Sequence, residues 1–116
     1  MVGTKDTGIL LNIIHHCIRI EESLDGATKE EFDIDLAMQD IACFNILQIG
    51  ELAKHLSPSF VNEYHGVPWQ KIKGMRDIIV HGYGTIEMDR VWVTATNDIK
   101  PLHDYCDLII NQNKNK

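Results

Sequence analysis

Arg76, Asp77, His81 and Tyr83 stand together in the stretch Arg76-Asp77-Ile78-Ile79-Val80-His81-Gly82-Tyr83. Arginine is a permanent cation whose flat fork of donors suits phosphate, and histidine gives or takes a proton near neutral pH. With a phenol beside them, these groups form a minimal kit for cutting a phosphodiester without metal. On a helix turning about 100° per residue, Asp77 and His81 share a face, so the carboxylate can hold the imidazole in one tautomer and raise its basicity. Arg76 and His81, five apart, diverge by roughly 140° on the same helix. One helix therefore does not aim both at one atom, although the length of the arginine relaxes the conflict. Two copies facing each other across a symmetric dimer would let each motif help build a shared cleft. Gly82 and Gly84 bracket Tyr83, so the helix is expected to end there with the phenol at an accessible edge.

Each residue alone also has a plain structural reading. An arginine on an acidic chain is commonly a surface ion-pair partner, and a histidine before glycine a helix C-terminal cap. The spacing separates the two readings. Arg76, four residues, His81, one residue and Tyr83 resembles the RX4HXY signature of the HepT-like branch of the HEPN superfamily. Further landmarks fall in that family's order: Ile49-Gly50-Glu51 and Ala53, Pro68-Trp69, Ile72, Gly74-Met75 before Arg76, then Ile86 and Val91-Trp92. The resemblance covers nearly the whole chain and is weakest in the first thirty or so residues and the polar tail. The motif itself shows no departure.

The resemblance implies an all-helical, dimeric toxin of a type VII toxin-antitoxin system. Such toxins are metal-independent endoribonucleases without a cofactor, paired with an MNT-type minimal nucleotidyltransferase that transfers AMP to the motif tyrosine. Carried over by position, Arg76 and His81 become the catalytic pair and Tyr83 the AMP acceptor. Asp77 falls where relatives often carry a polar residue. Transfer RNA is among the possible substrates. Two rivals remain open: a non-catalytic helical dimer that binds a nucleotidyltransferase partner or a nucleotide, and a purely structural bundle.

The 116 residues suit one domain over 1–116, with 111–116 expected to fray, and 44% hydrophobic with 24% charged residues is ordinary for a globular protein. No apolar run approaches the about 18 residues of a membrane span. Met1 to Leu11 lacks the pattern of a secretory leader, so a cytoplasmic protein is expected. Cys17, Cys43 and Cys106 lie far apart among apolar residues and read as buried core residues. Six histidines invite a metal, yet His15 and His16 are adjacent and no HExxH or Cys/His array is present, which argues against a dedicated site. A net charge of −6 excludes gripping nucleic acid by bulk electrostatics. Local charge must serve instead, and Lys71, Lys73 and Arg76 supply it beside His81.

The positioning elements read as four helices of an antiparallel bundle. Ile9, Leu10, Ile13, Ile14, Cys17, Ile20 and Leu24 mark the first, closed by Asp25-Gly26, with Asp6 in its first turn. A capping box, Thr28 with Glu31, opens a second predicted to run to about Leu56 and to bury Phe32, Leu36, Ile41, Phe44, Leu47, Leu52 and Leu56. Its apolar surplus from Ile41 to Ile49 suits contact with a partner subunit as well as the bundle. Asn45 and Gln48, with Asp40 a turn earlier, are either exposed or line a cleft beside the motif. Glycine inside a helix costs about 1 kcal/mol relative to alanine, and a close helix crossing at Gly50 is the expected compensation.

Ser57-Pro58 ends that helix, and the connection to Pro68 has room for a turn around Phe60 to Tyr64. The third helix carries the motif, anchored by Trp69, Ile72, Ile79 and Val80 and wedged between the second and fourth. Asp89 is expected to cap the fourth, whose stripe is Val91, Trp92, Ala95, Ile99, Leu102, Cys106 and Ile109. Pro101 should distort it near Asn97 to Lys100.

Overall fold

In the computed structural model, which describes residues 2–80 and 86–114, the helices are α1 (Thr4–Leu24), α2 (Lys29–Ile34), α3 (Leu36–Ala53), α4 (Pro58–Glu63), α5 (Trp69–Val80), α6 (Met88–Val93) and α7 (Ile99–Lys114), with a π-helical turn at Thr94–Asp98. No strand occurs among the described residues. The result is an all-α bundle of four principal helices, α1, α3, α5 and α7, with three short ones between. His81, Gly82, Tyr83, Gly84 and Thr85 lie outside the described residues, as does the side chain of Val80. The expected helix end at Gly82 and the expected setting of Tyr83 therefore lie outside them too.

The apolar stripe of α1 folds as read. Leu10, Ile13, Cys17 and Ile20 are fully buried, and Gly26 ends the helix with φ 74°, a backbone region glycine enters without a Cβ penalty. The second predicted helix is in fact two. Asp35 adopts extended backbone, φ −102° and ψ 97°, and its side chain accepts a hydrogen bond from the Met38 N–H at 3.0 Å, restarting the chain as an N-cap. The Gln39 amide donates to the carbonyls of Phe32 and Asp33, satisfying acceptors that the break exposes. The Thr28 and Glu31 capping box opens α2 as expected.

That break redistributes the core. Phe32 and Leu56 are buried as predicted, but Leu36 is 72%, Phe44 49% and Ile41 38% exposed. The inward face of α3 is Ala42, Cys43, Ile46, Ile49 and Ala53. Small residues on that face let α3 sit centrally, packing on α1 at one side and α5 at the other, while α7 lies on α1. The motif helix is thus not wedged between long neighbours: α5 rests chiefly on α3. Its N-terminal end meets the π turn, where Lys71 and Asp98 lie 3.5 Å apart, and α7, where the Trp69 ring lies 6.5 Å from that of Tyr105.

Trp69 is buried, donates its indole N–H to the Tyr64 carbonyl and packs on Phe60, so it is a structural post. Its neighbours Ile72 and Met75 are buried as well, and Ile79 is half-buried. Asp89 does not cap the last helical segment. Glu87 precedes α6, and its carbonyl accepts from the Arg90 and Val91 N–H groups, so Asp89 falls inside the first turn and pairs with Lys29 at 2.7 Å. The π turn at Thr94–Asp98 covers much of the stretch where Pro101, which lacks an N–H for the Asn97 carbonyl, was expected to distort the helix. Beyond Ile109, α7 continues through Lys114. The Asn113 side chain accepts from the Val2 N–H at 3.2 Å and donates to the Ile109 carbonyl at 2.8 Å.

All three cysteines are free and buried. Burial pushes the Cys106 thiol up to about 12 and the Cys17 thiol higher still, with Cys106, Glu21 and Asp107 adding to the rise at Cys17. For Cys106 this cuts the thiolate fraction at pH 8 about a thousandfold below that of a thiol with the ordinary value of 9.0. Iodoacetamide at pH 8 is expected to leave Cys17 and Cys106 unlabelled in the native protein and to label both in urea. Because folding raises these values, their contribution to stability is complete below the ordinary thiol value and declines as pH rises from there. The urea midpoint should therefore fall between pH 8 and pH 10. Equal labelling with and without urea would contradict this account.

Candidate active site

The site is built where α3 crosses α5. A Cβ placed on Gly50 would lie 2.8 Å from the backbone nitrogen of Arg76, 3.1 Å from its Cβ and 3.2 Å from the carbonyl oxygen of Lys73. Only glycine allows that approach, so the helical penalty at Gly50 is offset by a crossing in which the two backbones nearly touch. Glu51, the next residue, then faces Arg76. Its Oε1 is in ionic contact with the Arg76 Nε. Both atoms are buried, and neither has an aligned hydrogen bond. The contact is therefore a charge pairing rather than a bidentate fork.

With Nε buried, the exposed third of the Arg76 side chain belongs to the rest of it. One terminal nitrogen, Nη1, lies 3.9 Å from the Asp77 carboxylate. The guanidinium is thus held at its inner edge while the side chain as a whole stays about one-third exposed, an arrangement compatible with an incoming phosphate oxygen. Glu51 was not singled out as a site residue from the sequence. The signal available was a mid-helix glycine marking a close crossing with an acid beside it.

The other candidates are distributed as follows. Asp77 flanks Arg76, while His81, which it was expected to orient, lies outside the described residues together with Tyr83. Asn45 is 1% exposed, which rules out its reading as a surface residue. Its carbonyl oxygen accepts from the His16 Nδ1 at 2.7 Å and its amide donates to the Ile41 carbonyl at 2.7 Å, a link from α3 to α1. Gln48 is half-buried. Lys73 sits one turn before Arg76 and opens onto a groove with Lys5, Lys54, His55 and His65. Lys71 does not join Lys73 and Arg76 in one patch, because two residues' rotation turns it toward α7 and Asp98. Among the described residues, no three His, Cys, Asp or Glu side chains gather as metal ligands, and no helix is long and apolar enough to cross a membrane.

The family model Ribonuclease HepT-like matches residues 13–109. The chain belongs to the HepT-like ribonuclease family. A Methanocaldococcus jannaschii protein named "Gamma-glutamylcyclotransferase and putative RNase" is 32% identical over 114 residues, covering 97% of this chain and 51% of its own length. This chain therefore spans about half of that relative. A "Putative RNase" of Caldanaerobacter subterraneus subsp. tengcongensis is 29% identical over 105 residues, 90% of this chain and 94% of the relative. A "Probable ribonuclease HepT" of Thermococcus cleftensis is 28% identical over 82 residues, 63% of this chain and 74% of the relative. No solved structure gives a significant match. In this HepT-like chain the match takes in both halves of the α3–α5 crossing, Gly50-Glu51 and Lys73 to Arg76, and the motif through Tyr83.

Proposed function

We propose that this HepT-like protein is a dimeric, metal-independent endoribonuclease, the toxin of a type VII toxin-antitoxin pair. The observation that carries the reading is the Arg76 side chain, tethered by Glu51 at a backbone-to-backbone crossing and still about one-third exposed. In the reaction, the ribose 2′-hydroxyl attacks the adjacent phosphorus while an imidazole of His81 takes its proton. Arg76 stabilises the charge that builds on the phosphoryl oxygens. The 5′-oxygen leaves with a proton, supplied by the second copy of His81 in a shared cleft. The products are a 2′,3′-cyclic phosphate and a 5′-hydroxyl, and transfer RNA is one candidate substrate.

A dimer is supported by apolar surface that this chain leaves uncovered: Ile41 and Phe44 on α3, with Leu11 and Ile18 on α1. Tyr83 is assigned as the acceptor of AMP from an MNT-type nucleotidyltransferase antitoxin. An AMP ester two residues from His81 in the chain would add an anion able to compete with the substrate phosphate for Arg76. This account sets the protein in the cytoplasm, as one domain, with Asp77 orienting His81 and with Asn45, Gln48 and Lys73 in support.

A second reading, a non-catalytic dimer that binds the nucleotidyltransferase or a nucleotide, is favoured by the net charge of −6 and by the carboxylate already beside Arg76. Incubation of the protein with end-labelled RNA in EDTA decides between them. Fragments with cyclic phosphate and 5′-hydroxyl ends, lost in His81→Ala, are expected. RNA left intact by the parent at every salt concentration would remove the nuclease reading. Mass spectrometry after coexpression with the nucleotidyltransferase should find an AMP adduct on Tyr83 that Tyr83→Phe lacks.

A further inference from the structure

Among the described residues, some cations of this acidic chain are neutralised by a neighbouring acid, and others, including Arg19, Arg90 and Lys114 outside the groove described next, are not. Lys29 pairs with Asp33 and Asp89, Lys71 with Asp98 and Lys100 with Asp104. Lys5, Lys54 and Lys73 have no ion pair among the described residues, and all three line one groove of about 770 Å³. They come from separate elements: the first turn of α1, the residue after α3 and the middle of α5. His55 and His65 add two imidazoles, and Ser57 and Asn62 add neutral polar groups. Among the described residues, no carboxylate lines the groove.

Four acids close in the chain to these residues stand outside the groove lining: Asp6, Glu51, Glu63 and Asp77, the last 3.9 Å from the Arg76 Nη1. Asp6, beside Lys5, is buried and accepts from the Ser57 N–H at 2.9 Å and the Ser57 hydroxyl at 2.6 Å. Glu51 is held against Arg76. Glu63 opens onto a separate cavity with Ser59 and Tyr64. The groove is therefore a locally cationic surface on a protein of net charge −6. At physiological salt the screening length is about 8 Å, so a polyanion lying there is governed by the three lysines on the wall, with the Asp6 carboxylate behind Ser57 the opposing charge bonded to that wall.

We propose that this groove binds the phosphodiester backbone of single-stranded RNA next to the bond to be cut, with Lys5, Lys54 and Lys73 each neutralising a phosphate. Lys73 ties the two regions together: it lines the groove, and it stands one turn from Arg76 on the same helix. A strand seated on Lys5 and Lys54 thus continues past Lys73 toward the guanidinium. The ribonuclease reading supplies the fate of that strand, whereas the binding itself follows from the arrangement of charge.

The test separates the two. In His81→Ala protein, which binds without cutting, affinity for a fluorescent single-stranded oligoribonucleotide is measured from low to high salt. Adding Lys5→Gln and Lys54→Gln should lower affinity and make the plot of log affinity against log salt shallower by about 1.4, since each phosphate contact on a single strand contributes about 0.7. Lys29→Gln with Lys100→Gln changes the net charge equally outside the groove and should leave the slope unaltered. Equal slopes for the two double variants overturn the proposal. Acetylation footprinting of the unsubstituted chain checks it without mutation: the oligonucleotide should protect Lys5, Lys54 and Lys73. Protection by AMP as strong as by the oligonucleotide would make this a mononucleotide pocket. Protection by polyglutamate but not by RNA would make it a surface for an acidic protein, and either result overturns the proposal. Failure of the parent to cleave RNA in EDTA, with the slope difference present, would sink the nuclease reading and leave the groove standing.

Discussion

Arg76→Ala is expected to slow RNA cleavage by about 10² to 10³, the usual effect of removing one preorganised donor to a developing oxyanion. The loss should appear mainly in kcat, because the stabilised charge is largest in the transition state. The fold should persist. The Arg76 to Glu51 contact joins side chains about one-third exposed whose contacting atoms are buried, so its loss should cost more than the about 0 to 1 kcal/mol of a surface pair and less than the about 3 to 5 kcal/mol of a fully buried one. Arg76→Lys tests the fork against the charge: lysine keeps the cation but cannot be held at its inner edge while presenting separate donors outward. It should recover only a small part of the rate. Glu51→Gln should keep a polar neighbour while weakening the tether, giving a smaller loss than Arg76→Ala. Cleavage by a folded Arg76→Ala protein at the parental rate, followed with a fluorogenic oligoribonucleotide, would remove Arg76 from the chemistry.

The second large effect is on packing. Gly50→Val should destabilise the protein by about 1 to 3 kcal/mol, the range for inserting side-chain atoms into a filled contact. The atoms a Cβ would meet are a backbone nitrogen, a Cβ and a backbone carbonyl, none of which can swing aside. Gly50→Ala should fall between the same clash and the roughly 1 kcal/mol that alanine gains in a helix. Gly74 is the control on the facing helix. A Cβ there meets nothing within 4 Å, so Gly74→Ala should be neutral or stabilising by up to about 1 kcal/mol. Urea unfolding of the three variants measures the difference, and Gly50 variants should also lose activity beyond their loss of stability because the clash displaces Arg76. A Gly50→Ala protein as stabilised as Gly74→Ala would show that the crossing is looser than described.

Helical periodicity made most of the architecture legible. The stripes of α1 and of the last helix, the capping box at Thr28 and the anchoring Trp69 all follow from local patterns that burial obeys. The break at Asp35 escaped because the apolar residues around it, Ile34, Leu36, Ile41 and Phe44, fit a continuous helix equally well. A single aspartate competing for the Met38 N–H decides the outcome locally. Asp89 escaped for a related reason: Glu87, two residues earlier, begins the helix with its carbonyl alone.

At the site, sequence separation limited what could be read. Gly50 was recognisable as a close approach, but its partner helix was not. Without the partner, Glu51 had no evident counter-ion and Lys54 no evident neighbour across a groove. The same limit hid the split between Lys71 and Lys73. Their proximity in the chain suggests one patch, whereas helical rotation and Asp98 direct Lys71 elsewhere. From the sequence Asn45 suits solvent more readily than a cleft, and the position of His16 on α1 accounts for its burial.

Because the main chain of one helix rests on that of another at Gly50, no side chain acts as a spacer between the scaffold and the guanidinium. Mutational drift can enlarge or shrink interior residues such as Ile46 or Leu102 and be absorbed by local repacking, while the anchor point keeps its register. Laboratory redesign of the hydrophobic interior for heat resistance should therefore be able to proceed widely with little effect on turnover, provided that one hydrogen-only position is left untouched.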